Sequence, residues 1–228
     1  MPAKVVILCS RIIGMQTSSG ECELVGVMIG DGHVYRNFGK NLMGITGDKL
    51  SDAEYFEYLV GLIKSEWGLT VKPVFRSGGL RLVFYSKKIA NRLNGLFGFP
   101  LGKKALTIQI PSFLATNWNT VKHVLRGIAD TDGSVFVSKK PGIDKYPSLE
   151  ITTTSNVLAT QVRNSLIANG FRVSNIRVLH SKLSKNPSYK VALFGWKNLL
   201  RWYREIGFSN PVKRRKAESI LLAKYGNL

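Results

Sequence analysis

Two short segments, LVGVMIGDG (Leu24–Gly32) and LRGIADTDG (Leu125–Gly133), constrain this chain more than anything else in it. Each reads as an apolar, small-residue helix that runs straight into Asp-Gly, and Asp31 and Asp132 hold the same place in the two copies. A carboxylate at a helix C-terminus faces the negative end of the macrodipole, so position alone disfavours it. One such acid could be an ordinary Asp-Gly turn; two, at matching places in half-length repeats, point to paired carboxylates built for a metal ion. Small residues recur at intervals of four, Gly26 and Gly30 in one copy and Gly127 and Thr131 in the other. Each helical glycine costs roughly 1 kcal/mol against alanine, so their repetition predicts two helix backbones in close contact. Packed side by side and parallel about a pseudo-twofold axis, the helices bring Asp31 and Asp132 together at one end. Carboxylates at close range repel, and one takes up a proton unless a cation intervenes. Hard divalent ions, Mg²⁺ above all, suit such oxygen ligands, and phosphodiester hydrolysis is the chemistry they suggest.

The residues downstream of each motif repeat as well. In the first copy, alternation around His33–Phe38 and a second strand over Asn41–Thr46 lead to Ser51-Asp52-Ala53-Glu54, a capping-box-like start. A helix then runs to about Trp67, with Phe56, Leu59, Val60 and Ile63 at helical spacing, and Gly68 stops it. Strands over Val71–Arg76 and Leu80–Tyr85 and a helix over Lys87–Phe97 close the unit. The second copy gives strands around Val135–Ser138 and Ser148–Thr152, a helix Ser155–Asn169, strands Phe171–Leu179 and Tyr189–Phe194, and a helix Trp196–Ile206. Gly98-Phe99 matches Gly207-Phe208 at the two ends. The expected fold is therefore α+β, with two pseudo-symmetric αββαββα repeats. Residues 1–101 form the first repeat, 102–119 a linker broken by Pro111, and 120–228 the second, with Asn119-Thr120 available to cap its motif helix.

One face of each sheet is apolar and suits packing against helices; the other is polar or basic. Arg81, Val83 and Tyr85 lie on the outer face of a first-half strand, with Lys190 and Ala192 at the corresponding places in the second. With Arg76, Lys140, Arg172 and Arg177, these sheets could line a basic trough wide enough for a duplex. The charge agrees: 33 Lys and Arg against 14 Asp and Glu give +19, spread through folded segments and not confined to a tail. Nucleic acid is the usual partner of such a surface. No apolar run approaches the roughly 18–20 residues needed to span a bilayer, and Val5–Cys9 is short for a signal-peptide core. The cytoplasm or another nucleic-acid compartment is the expected location, without a membrane partner. Cys9 and Cys22, with His33, His123 and His180, fit no zinc ligand spacing; the cysteines read as free thiols, with a Cys9–Cys22 disulfide as the alternative.

These residues resemble the LAGLIDADG homing endonucleases, in the single-chain form with two motifs, over about Glu21 to Lys216. The resemblance implies a monomer that cuts both strands of double-stranded DNA at a long, nearly palindromic site, with Mg²⁺, or Mn²⁺ in its place, as cofactor. It implies that Asp31 and Asp132 bind the metal and are essential, and that the carbonyls of Gly30 and Thr131 join the metal shell. It also implies a basic residue near each scissile phosphate; local alignment selects Lys103 and Lys213, with Lys104 and Arg214 as substitutes. Base recognition then falls to the outward strand residues Tyr35, Asn37, Arg76, Arg81, Ser134, Ser138, Lys140, Glu150, Thr152, Arg177 and Lys190. The chain departs from the pattern in two places. Ile29 replaces the earlier motif acid that the second copy keeps as Asp130, a difference expected to affect packing. A polar residue that positions water ends the second strand in the family; here Gly47 and Thr153 are nearest, so unequal active sites are expected. No intein splice junctions are evident, which suggests an intron-encoded or freestanding enzyme. An RNA maturase acting on its host intron, or a DNA-binding regulator without cleavage, are the competing readings on the same fold.

Overall fold

The computed structural model describes residues 17–37, 39–76, 79–182 and 184–227. Helix α1 (Ser19–Gly30) opens it, capped by Ser18, whose hydroxyl accepts from the Glu21 N–H at 2.9 Å. Residues Glu21 through Ile29 are all buried, as expected of a helix that is apolar on every side. Its partner is α5 (Trp118–Asp132), and the two motif helices form the axis of the molecule. The glycines explain the contact. A Cβ on Gly26 would lie 2.1 Å from the Val124 carbonyl oxygen, and one on Gly127 would lie 2.3 Å from that of Glu23. Nothing larger than hydrogen fits at either point.

Each motif helix feeds a four-stranded antiparallel sheet. The first contains β1 (Gly32–Asn37), β2 (Lys40–Gly47), β3 (Pro73–Arg76) and β4 (Gly79–Tyr85), in the order β1-β2-β4-β3. The second contains β5 (Gly133–Lys140), β6 (Ile143–Thr153), β7 (Arg177–Leu179) and β8 (Ser188–Phe194), in the matching order β5-β6-β8-β7. Helices α2 (Ala53–Trp67) and α3 (Lys87–Gly95) cover the inner face of the first sheet, and α6 (Asn156–Ala168) and α7 (Trp196–Glu205) that of the second. Leu24, Met28, Met43, Phe56, Leu59 and Leu82 belong to one core that continues through the motif helices to Leu149, Leu158, Val162 and Trp202. Buried Glu23 ties three helices: it accepts from Tyr58 Oη at 2.9 Å and pairs with Arg126 at 3.2 Å.

Several local expectations change. Asp52 occupies the N-cap position of α2 but makes no capping hydrogen bond; it accepts instead from the Asp48 N–H at 2.9 Å. Phe171–Leu179 is not one strand. Asn198 Oδ1 accepts from the Arg172 N–H at 3.2 Å and its Nδ2 donates to the Arg172 carbonyl at 2.7 Å, so a side chain takes the place of a strand partner. Pairing is left to a bridge at Val173 and to β7. Asn117, ahead of Asn119-Thr120, caps α5. The segment between the halves carries a short helix, α4 (Ser112–Ala115), and Gln161 clamps it by bonding both the N–H and the carbonyl of Ile110, at 2.8 and 2.9 Å. A helix the repeat did not predict, α8 (Pro211–Tyr225), comes after α7. Asn210 caps it and Pro211 sits in its first turn, a favoured start for a helix. Phe38, Ser77 and Cys9 lie outside the described residues, whereas Cys22 is buried in α1.

Candidate active site and nucleic-acid interface

The motif helices end together. A Cβ on Gly30 would lie 1.9 Å from Thr131 Oγ1 and 3.3 Å from Asp132 Oδ2, so the carboxylate of one motif rests against the last turn of the other. Asp31 comes after α1 as its C-cap, and Asp132 ends α5. Burial raises both carboxyls, Asp31 to about 6 and Asp132 to about 7; for Asp132 the Asp31 charge adds to the effect of burial. That is the behaviour of like charges sharing a site.

One lysine closes the end of each helix. Lys104 Nζ donates to the carbonyls of Met28, Ile29 and Gly30 at 2.7, 2.6 and 2.5 Å. Lys213 Nζ does the same for Ala129, Asp130 and Thr131 at 2.9, 2.7 and 3.0 Å. Cations belong at helix C-termini, where carbonyls lack helical partners. Desolvation lowers both ammonium groups, Lys104 to about 8, against the pull of Asp132 and Asp31. Lys213 thus stands where the alignment put a basic residue, but Lys103 does not: it is exposed, and its neighbour Lys104 takes the position equivalent to Lys213. Which of two adjacent lysines turns inward depends on how an irregular segment docks against α1, and the sequence does not encode that locally.

The two centres differ around this shared frame. Gly30, Lys104 and Asp132 line a cleft with Thr152, Thr153, Thr154 and Ser188. At the other centre the second strand ends in Gly47, whose Cβ would meet the Phe56 ring at 2.6 Å and Asp52 Oδ2 at 3.0 Å. The Asp52 charge raises Asp31 and opposes the lowering of Lys213. Asn210 Nδ2 reaches Asp52 Oδ1 at 3.5 Å and the Asp130 carbonyl at 3.3 Å. Asp52 reads in sequence as a helix cap, so its place here was not anticipated. Asp130 is a structural acid, 1% exposed, whose Oδ2 accepts from the Ser209 N–H at 2.9 Å; it anchors the approach to α8. Burial raises its carboxyl.

The outer sheet faces are also unlike. On the first, Tyr35, Arg76, Arg81, Val83 and Tyr85 are exposed. On the second, Ser134 and Arg177 are exposed, while Ser138, Thr152 and Lys190 are half-buried, Ser138 donating to the Tyr146 carbonyl at 3.3 Å. Glu150 is covered and engaged: Arg177 and Lys190 donate to its two oxygens at 2.8 and 2.5 Å. Ala192, the residue opposite Glu150 on β8, is buried. The side chains of Asn37 and Lys140 lie outside the described residues.

Comparison with known proteins agrees with this fold. Residues 119–207 match the family model described as LAGLIDADG-like domain. Among curated proteins, the ATP-dependent DNA helicase Hel308 of Methanocaldococcus jannaschii is 23% identical over 218 residues, 91% of this chain but 17% of the helicase. The chain therefore spans about a sixth of that relative's length. Among solved structures, I-DmoI in complex with DNA and Mn is 16% identical with a TM-score of 0.59, covering 84% of this chain and 98% of that one. The LAGLIDADG homing endonuclease I-LtrWI bound to target DNA is 15% identical with a TM-score of 0.58, covering 90% and 89%. Residues 119–207 thus match a LAGLIDADG-like domain, and the α+β fold of two sheets about paired motif helices is that of I-DmoI and I-LtrWI.

Proposed function

We propose that the chain is a site-specific DNA endonuclease that acts as a monomer and hydrolyses one phosphodiester in each strand of a long duplex target. The apposition of Asp31 and Asp132 at the paired helix ends, each end carrying a buried lysine, is the observation that carries this reading. The two acids are hard oxygen donors and fit Mg²⁺ or Mn²⁺; the carbonyls of Gly30 and Thr131, which accept from Lys104 and Lys213, would join the metal shell through their second lone pair. Among the described residues no three of His, Cys, Asp or Glu cluster, so phosphate oxygens and water would complete the coordination. A bound divalent ion supplies a lowered water pKa and charge stabilisation at the phosphate. Lys104 and Lys213 hold positive charge beside the acids and are the basic residues of this reading. The outer faces of the two sheets would seat the duplex, with Tyr35, Arg76 and Arg81 on one half-site and Ser134, Thr152, Arg177 and Lys190 on the other. Residues 1–101 and 120–228 act as the two half-site modules, joined by 102–119.

The test is cleavage of supercoiled DNA carrying the uninterrupted host-gene junction, with Mg²⁺ and with EDTA. A single Mg²⁺-dependent double-strand cut is expected from the native chain. Asp31→Asn and Asp132→Asn should each lower double-strand cleavage by about a thousandfold or more, roughly 4 kcal/mol of transition-state stabilisation, with duplex affinity retained. Near-native cutting by either variant would refute the assignment.

A further inference from the structure

The strands of the second sheet end, away from the motif acids, in a cleft that the nuclease reading leaves unused. Tyr146 stands seven residues from Thr153 along β6, which at the rise of an extended strand is about 23 Å from the catalytic end. There a cleft of about 590 Å³ is lined by the rings of Tyr146, Trp196 and Tyr225 and by Arg172, Lys197 and Lys224. That volume falls within the roughly 300–1,000 Å³ of sites that hold organic ligands. Tyr146 stacks on Phe194 with centroids 6.2 Å apart, and Trp196 meets Tyr225 edge-on at 6.4 Å, so the rings are held in place. Arg172, Lys197 and Lys224 are exposed, and among the described residues they pair with no carboxylate and no acidic side chain lines the cleft. Arg201, also on its wall, is engaged by Glu205 at 2.6 Å.

Rings for stacking combined with unpaired cations match one class of ligand. We propose that this cleft binds an unpaired nucleobase with its flanking phosphates, that is, a single-stranded segment of nucleic acid. Aromatic platforms in a basic groove are how proteins hold single strands, because every base offers a π-face. In a duplex those faces are already stacked, and a clamp on flanking duplex phosphates would need the cations but not the rings. The proposal stands apart from the nuclease reading, since none of these residues serves the acid pair.

The full chain is first saturated with unlabelled duplex in EDTA, which occupies the outer sheet faces. Fluorescent oligouridylate and oligodeoxyuridylate of about ten nucleotides are then titrated in. Binding to the duplex-saturated protein is expected, weakened about tenfold by Trp196→Ala and several-fold by Lys224→Glu or Lys197→Glu. Duplex affinity should stay within about twofold. The two lysine variants lie at exposed positions, so they keep the test valid if Trp196→Ala unfolds. A preference for oligouridylate would identify RNA, read through its 2′-hydroxyl; equal binding would place recognition in base and phosphate alone. Exclusion of the oligonucleotides by duplex, unchanged binding by the variants, or a parallel loss of duplex affinity would overturn the proposal.

Discussion

The two centres at the helix ends share a frame and differ in everything hung on it. At one, Lys104 and Asp132 face a cleft furnished with Thr152, Thr153 and Thr154. At the other, Lys213 and Asp31 feel the charge of a carboxylate borrowed from the start of α2, Asp52, which lies with the Phe56 ring beside Gly47 at the strand end. The common part is made by helix backbones and their capping lysines, and it repeats because helix geometry repeats. The variable part is made by strand ends and loop docking, where each half has found its own solution. One centre carries neutral hydroxyls and the other an extra negative charge, so under the proposed nuclease function the two phosphodiesters of a target should not be cut at the same rate.

The most direct way to break the comparison is to remove the frame that both centres share. Gly26→Ala drives a methyl into the Val124 carbonyl oxygen, from which its Cβ would lie 2.1 Å. Overpacking against backbone should cost about 3 kcal/mol, seen in chemical denaturation, and should slow the cutting of both strands equally. Strand-selective loss would show that the helices do not move as one body. Removing one capping lysine should instead separate the centres. Lys104→Met and Lys213→Met each strip a cation from three carbonyls, and each should lower cutting of one strand by about a hundredfold. Strand-resolved gels on end-labelled duplex would assign each lysine to its strand.

Stability against pH sharpens the contrast between the acids. Asp132 is pushed up to about 7 and Asp31 to about 6, both from 3.8. Between 3.8 and those raised values the native chain holds protons that the unfolded chain has released, so the contribution of these acids to metal-free stability is greatest below about pH 4 and is lost as pH rises through 7. Between pH 5 and 8 the two acids together should lose up to about 4 kcal/mol. Asp132→Asn should flatten this slope more than Asp31→Asn, and Mg²⁺ should restore stability at the alkaline end because it binds the ionised pair. Thermal melts across pH, with and without Mg²⁺, measure both. The smallest effect belongs to Asp52. Asp52→Asn removes the extra charge and should change the ratio of the two nicking rates about threefold, the scale of a partly screened charge, with the melting temperature unchanged. An unaltered strand ratio would mean that Asp52 is no more than a spacer beside Gly47.

Much of this was legible in the chain itself, because period and glycine spacing are local signals. Gly26, Gly30, Gly127 and Thr131 disclose the helix contact, and the Asp-Gly pair discloses its end. What stayed hidden depends on docking. Lys103 and Lys104 are indistinguishable as letters, and only the path of their segment against α1 separates them. Asp52 has every mark of a helix cap, yet its carboxylate is drawn to the Asp48 N–H and toward Asn210. Glu150 alternates like a base-reading strand residue, but two cations claim it. The strand expected from Phe171 gives way to Asn198, a partner that is distant in sequence and close in space.

The lysine that completes the second centre has a consequence for timing. Lys213 bonds the Thr131 carbonyl from 82 residues further along the chain. During synthesis at roughly 5–20 residues per second, both motif acids and the first lysine exist for several seconds before Lys213 leaves the ribosome. The Lys104 centre needs residues only as far as Ser188, 25 before Lys213, so a nascent chain holds the parts of one centre roughly one to five seconds before those of the other. In the nuclease reading, such a chain could nick DNA but not yet sever it.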